Sequence, residues 1–105
     1  MQRDVKKQTQ NSGKSLAELQ RLMIQQLKRR GFYPLKEVDI LLRLGEEVGE
    51  VFEAARELQS KKLLSRETAD VLWMLLIFCD LKKIDLARAF LEKLRHNARR
   101  PPPRQ

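Results

Sequence analysis

Apolar residues recur at helical spacing in four stretches of this chain. Ser15, with Glu18 three residues on, makes a capping box. Leu16, Leu19, Met23 and Leu27 then form one stripe that runs out at Lys28, Arg29, Arg30 and the stop signal Gly31. Phe32, Tyr33 and Pro34 supply a turn. A second helix is expected from about residue 36 to residue 58, with Leu41, Leu44, Val48, Val51, Ala55 and Leu58 on its apolar face. A third is expected to start after Ser65, a good N-cap, and to reach about Lys82. Its run VLWMLLIFC is apolar around the whole circumference, which predicts the central, buried helix. A fourth follows Asp85, carries Ala87, Phe90, Leu91, Leu94 and Ala98 as its stripe, and ends at Pro101, Pro102 and Pro103. The pattern predicts an all-α, four-helix bundle-like fold.

The chain of 105 residues holds one domain with a modest core. Residues 1–14 are polar and lack periodic apolar positions, so they are expected to be a disordered basic arm, residues 15–98 the helical domain, and residues 99–105 a basic, proline-rich tail. The longest apolar run, residues 71–79, is far short of the about 20 residues that span a bilayer, and the polar start has no signal-peptide core. A cytoplasmic protein is expected, with no membrane partner. Cys79, the single cysteine, reads as a small buried hydrophobe. The net charge of +8 sits at the ends: Arg3, Lys6, Lys7 and Lys14 against Asp4, and Lys93, Arg95, Arg99, Arg100 and Arg104 with no acid. Basic ends attract polyphosphates or nucleic acid, or simply aid solubility.

Chemistry concentrates in two acidic pairs, Glu47 with Glu50 in LGEEVGEVFEAA and Glu67 with Asp70 in SRETADVLWMLL. Three-residue spacing puts each pair on one helix face about a turn apart, where the carboxylates can share one hard divalent cation or bridge two. Oxygen-only ligands suit magnesium or manganese; a bundle di-iron site would want a His three residues after a Glu, and His96 follows Lys93 instead. Without a cation, acids about 5 Å apart repel by roughly 3 kcal/mol per pair at an effective dielectric of 20. With Leu44 as the middle of the second helix's apolar face, Glu47 falls roughly 60° away and Glu50 roughly 120°, while Glu46, Glu53 and Glu57 lie opposite. Glu67 and Asp70 are expected in the first turns of the third helix, which the helix dipole favours on its own account. Bringing the pairs level then requires residues 59–65 to climb back along the second helix, and extended they span about 20 Å.

Glu46, Glu47 and Glu50 in EEVGE, then Glu67 and Asp70 in ETADVLWMLL, followed by IDLARAFLEKLRHNARR, closely resemble the MazG-like nucleoside triphosphate pyrophosphohydrolases of the all-α NTP pyrophosphatase group. The likeness covers about residues 36–100. It implies the MazG-like all-α fold and cleavage of a nucleoside triphosphate between its α and β phosphates, giving the monophosphate and pyrophosphate. It also implies Mg²⁺, with Mn²⁺ as an alternative, held at Glu47, Glu50, Glu67 and Asp70, and Glu46 as the base that orients water. A homodimer or dimer of dimers, with the nucleotide pocket completed between subunits, is implied as well.

No GxxxxGK[ST] loop cradles phosphates here, so metal and basic side chains must do so. Lys93, Asn97 and Arg100 recur at i, i+4 and i+7 on the fourth helix as a candidate phosphate-facing row; for Arg100, complementing the helix dipole is an equal explanation. Trp73 can stack a base, although core packing is the expected role within its apolar run. His96 is expected to be exposed. The competing class is a basic helical nucleic-acid-binding or protein-interaction module whose acids are structural, distinguished by salt-sensitive binding through the basic ends and no nucleotide turnover. Within the enzyme class, a phosphoribosyl-ATP- or dUTP-specific relative is a third reading, and substrate profiling separates these.

Overall fold

Four helices form in the computed structural model, which describes residues 13–33 and 35–101: α1 Leu16–Arg29, α2 Glu37–Arg56, α3 Lys61–Leu81 and α4 Leu86–Ala98. No strand occurs among the described residues, so the chain is all-α. Residues 1–12 of the expected arm, Pro34 of the expected turn and residues 102–105 of the expected tail lie outside the described range.

α1 begins and ends as its sequence predicts: Ser15 Oγ accepts the Glu18 N–H at 3.1 Å, and Gly31 closes the helix with φ of 78°. α3 does not. Its N-cap is Ser60, whose Oγ accepts the Leu63 N–H at 3.2 Å, so the helix starts five residues before the expected Ser65 cap. The stretch Lys61 to Ser65 is therefore helical, and only residues 57–60 join α2 to α3. Four residues permit only a tight antiparallel return. Glu50 lies six residues before the last residue of α2 and Glu67 six after the first of α3, so the hairpin itself brings the acidic pairs level and no climbing connector is needed.

The buried seam of α2 is also rotated from the expected face. Ile40 and Ala54 are buried, Leu44, Glu47 and Val51 are half-buried, and these five follow the 4-3 alternation of a helix seam. Leu41, Val48 and Leu58, taken from the sequence as facing the core, are exposed. On α3 the matching seam is Leu64, Glu67, Val71, Met74, Phe78 and Leu81, all buried or half-buried. Each helix thus carries one glutamate at a position that its periodicity reserves for an apolar side chain.

α1 covers one end of this hairpin. Met23, Ile24 and Leu27 pack with Ile40, Met74, Leu76 and Ile77 into the core. Gln20 Nε2 donates to the Leu76 carbonyl at 2.9 Å, and Tyr33 Oη donates to Asp80 Oδ2 at 3.0 Å, fastening both ends of the α1 segment to the C-terminal half of α3. Burial, together with Asp80 as hydrogen-bond acceptor and negative neighbour, pushes the Tyr33 hydroxyl well above the ordinary range for tyrosine, so it stays a donor. α3 is not buried all round as expected: Met74, Leu76, Ile77 and Cys79 are buried, but Leu72 and Trp73 are exposed. α4, capped by Asp85 on the Arg88 N–H, buries no residue, and its expected apolar stripe of Phe90, Leu91 and Leu94 faces outward in the single chain.

α1, α2 and α3 close with the same Schellman pattern. At the end of α2, Leu58 N–H reaches the Ala55 carbonyl and Gln59 N–H the Ala54 carbonyl. At the end of α3, Lys83 N–H reaches Asp80 and Ile84 N–H reaches Cys79. The left-handed residue is Gly31 in α1 but Leu58, φ 54°, and Lys83, φ 59°, in the other two. A Cβ is strained there, and both side chains are exposed. Leu58→Gly and Lys83→Gly are each expected to stabilise the fold by about 0.5–1 kcal/mol. The check is the urea midpoint; a fall in either variant overturns the expectation.

Candidate metal centre

The two seam glutamates face each other across the α2–α3 hairpin. One carboxylate oxygen each from Glu47, Glu50 and Glu67 lies within 4.8 Å of the others. Asp70, one turn beyond Glu67, is outside this tightest group, yet its charge acts on both Glu47 and Glu67, so the four expected acids form one cluster. Glu50 and Asp70 are exposed, while Glu47 and Glu67, on the helix seams, are half-buried. The side chain of Glu47 is only 13% exposed.

Burial is the largest influence on Glu47, followed by the charges of Glu50 and Asp70 and side-chain hydrogen bonding toward Glu50; all raise its pKa, and Arg43 opposes them. For Glu67, whose pKa is also raised, side-chain hydrogen bonding toward Glu50 comes first, then burial and the charges of Glu50 and Asp70, with Arg66 in opposition. The only ion pair at the cluster among the described residues, Arg43 Nη2 to Glu47 Oε1, is long at 3.9 Å. Glu47 Oε2 and Glu67 Oε2 are both buried and meet no hydrogen-bond donor among the described residues. A buried carboxylate oxygen without a donor costs roughly 1–3 kcal/mol or more, so two in one place are a defect unless a cation satisfies them. The donor set is oxygen alone, anionic, and one to two turns from the hydrophobic core, which fits a hard divalent ion.

The remaining expected site residues stand apart. Glu46 is exposed, beside Glu47 and outside the cluster. Lys93, Asn97 and Arg100 are exposed on and just beyond α4, and none of their side chains hydrogen-bonds or ion-pairs within the described chain. The cations whose fields reach the acids are Arg43 and Arg66, which the sequence reading passed over. Arg43 was findable, since it precedes Glu47 by four residues on one helix; Arg66 was hidden by placing the start of α3 at its shoulder. Cys79 is buried and its thiol pKa is pushed up by burial, in keeping with an inert core side chain. His96 is exposed.

Fold and site together define an all-α domain with a cluster of paired carboxylates built on a helical hairpin. Residues 36–104 match the family model of the MazG nucleotide pyrophosphohydrolase domain, and the chain belongs to that family. The matched stretch takes in α2, α3 and α4 and leaves α1 outside. Comparison with curated proteins and with solved structures returns no match. No helix among the described residues is long and apolar enough to cross a membrane.

Proposed function

We propose that this chain is a divalent-metal-dependent pyrophosphohydrolase that converts a ribo- or deoxyribonucleoside triphosphate to the monophosphate and pyrophosphate. The observation that carries the proposal is the pair of buried oxygens Glu47 Oε2 and Glu67 Oε2, without a partner among the described residues, in a cluster of like charge. Glu47, Glu50, Glu67 and Asp70 are the residues that would hold Mg²⁺, or Mn²⁺ in its place. A hard dication bound there supplies neutralisation of the triphosphate, polarisation of the α phosphoryl group and a lower pKa for nearby water.

The chain's own side chains do the rest. Glu46, exposed next to Glu47, orients the attacking water and accepts its proton. The water oxygen bonds to the α phosphorus, the bond from that phosphorus to the α–β bridging oxygen breaks, and pyrophosphate leaves with the bridging oxygen and the electron pair. Lys93, Asn97 and Arg100 bind the departing phosphates. Because these three form no hydrogen bond or ion pair with the acids among the described residues, the reading includes a homodimer or dimer of dimers in which a second copy brings α4 to the cluster. The outward Phe90, Leu91 and Leu94 of α4, with Leu42 and Phe52 of α2, support such an assembly.

A panel of ribo- and deoxyribonucleoside triphosphates with Mg²⁺ or Mn²⁺ tests the proposal by separating pyrophosphate from orthophosphate. Pyrophosphate and the monophosphate in equal amounts are expected. Orthophosphate release, or no turnover with either ion across the panel, overturns it.

A further inference from the structure

Within the apolar run of α3, Met74, Leu76, Ile77 and Cys79 are at most 7% exposed, whereas Trp73, the only tryptophan in the chain, is 38% exposed. Its indole N–H has no acceptor among the described residues. Leu72 beside it is exposed as well, at 41%, but a large aromatic ring left partly in water is an unsatisfied surface with an unused π face, and its place on the helix says what it faces. Trp73 follows Asp70 by three residues and Arg66 by seven, so all three lie along one strip of α3, on the flank beside the seam of Glu67, Val71 and Met74. Further along this strip come Ile77, buried under α1, and Asp80, which accepts the Tyr33 hydroxyl. The strip is therefore closed by α1 at one end. Then come an exposed ring, a metal-cluster carboxylate about 4.5 Å further along the axis, and a cation about 6 Å beyond that.

That order matches a nucleotide laid along α3: base, α phosphate, outer phosphates. One sugar separates the base from the α phosphate, a spacing on the scale of one helical turn. We infer that Trp73 is the base-stacking platform of the site, so that nucleotides are ranked by the aromatic surface of the base, purines ahead of pyrimidines. This rests on the hydrolase reading and adds the selector of its substrate. A ring face offers no hydrogen-bond code, so the preference is graded by stacking and tolerant of changes on the base edge. Arg66 takes the outer phosphates on the same strip.

Because the chain has one tryptophan, its emission reports on Trp73 alone. The full chain is titrated with the α,β-methylene analogue of ATP in the presence of Mg²⁺, exciting at the red edge of the indole band. The CTP counterpart and base-free tripolyphosphate serve as comparisons, and calorimetry measures binding of each probe. The ATP analogue is expected to quench saturably, the CTP analogue to quench with weaker affinity, and tripolyphosphate to bind without quenching. In turnover, Trp73→Leu is expected to raise KM for ATP about 10-fold, as removal of a stacking ring does. kcat should stay within about 2-fold, the signature of a group that binds ground and transition states alike. Trp73→Phe should recover part of the loss.

Calorimetric binding of the ATP analogue with unchanged emission, or an unchanged KM in Trp73→Leu, places the base elsewhere and overturns the inference while the hydrolase reading stands. A lower kcat at constant KM also overturns it. Failure of every probe to bind, together with no pyrophosphate release, sinks the hydrolase reading and this inference with it.

Discussion

Replacing Glu47 with leucine is expected to make this protein more stable and inactive at once. Glu47 occupies the middle of the seam Ile40, Leu44, Glu47, Val51, Ala54, with its side chain 13% exposed and one oxygen without a donor. Leucine there completes an apolar seam, removes a charge repelled by Glu50 and Asp70, and gives up only the long ion pair to the largely exposed Arg43. Burying most of a leucine side chain contributes about 1–2 kcal/mol, and in a domain of this size each kcal/mol moves the melting temperature by about 4–8 °C. The same change removes a ligand, and a lost metal contact of several kcal/mol corresponds to about a 10³-fold fall in pyrophosphate release. Asp70→Ala is expected to lose activity to a similar degree with little change in melting temperature, because Asp70 is exposed beside the seam and not in it. Melting curves and pyrophosphate assays on the two variants separate the effects. A Glu47→Leu protein that retains turnover ends the metal-site assignment; one that melts lower shows instead that the carboxylate holds the helices together.

The stability gain follows from a feature that apolar periodicity cannot reveal. Leu41, Leu44, Val48, Val51, Ala55 and Leu58 also satisfy a 4-3 alternation, and a template that admits only apolar residues selects that register. The folded helix buries the neighbouring register, which passes through Glu47, because α3 offers a seam that likewise passes through Glu67. Reading both seams with the glutamates admitted gives the correct faces. The same blindness misplaced the start of α3: Leu64 is one seam step before Glu67, but with Glu67 counted as polar the KKLL segment looks like a connector. Gly31 was legible as a helix stop since glycine is the usual left-handed residue, whereas Leu58 and Lys83 fill that role with no compositional signal. The acids themselves were legible from three-residue spacing, which survives any error in the helix boundary. What the spacing could not tell is that Lys93, Asn97 and Arg100 form no hydrogen bond or ion pair with them among the described residues, since the direction of a fourth helix is fixed by packing and this one buries no side chain.

In the absence of divalent ions, the acid cluster is expected to weaken the fold as pH rises, and Mg²⁺ to reverse this. Glu47 and Glu67 both have folded-state pKa values raised above the ordinary 4.5. A carboxyl group whose folded pKa is raised holds its proton longer in the folded than in the unfolded chain, so its contribution to stability is full below 4.5 and is lost as pH climbs through the raised value. The metal-free protein should therefore lose stability on going from mildly acidic to neutral solution, opposite in sign to the common case of ion-paired carboxylates. Binding of a divalent ion needs the deprotonated form, so Mg²⁺ should raise the melting temperature more at neutral pH than at pH 5, and calorimetry at mildly acidic pH should detect proton release on binding. At one hundred times its dissociation constant the ion adds about 2.7 kcal/mol. Glu47→Gln removes one of the two raised carboxyl groups and should flatten the metal-free pH profile as well as the Mg²⁺ response, without inserting an apolar side chain. Equal Mg²⁺ stabilisation at both pH values, or a metal-free fold that strengthens toward neutrality in the parent and weakens in Glu47→Gln, contradicts a proton-competed cation site between α2 and α3.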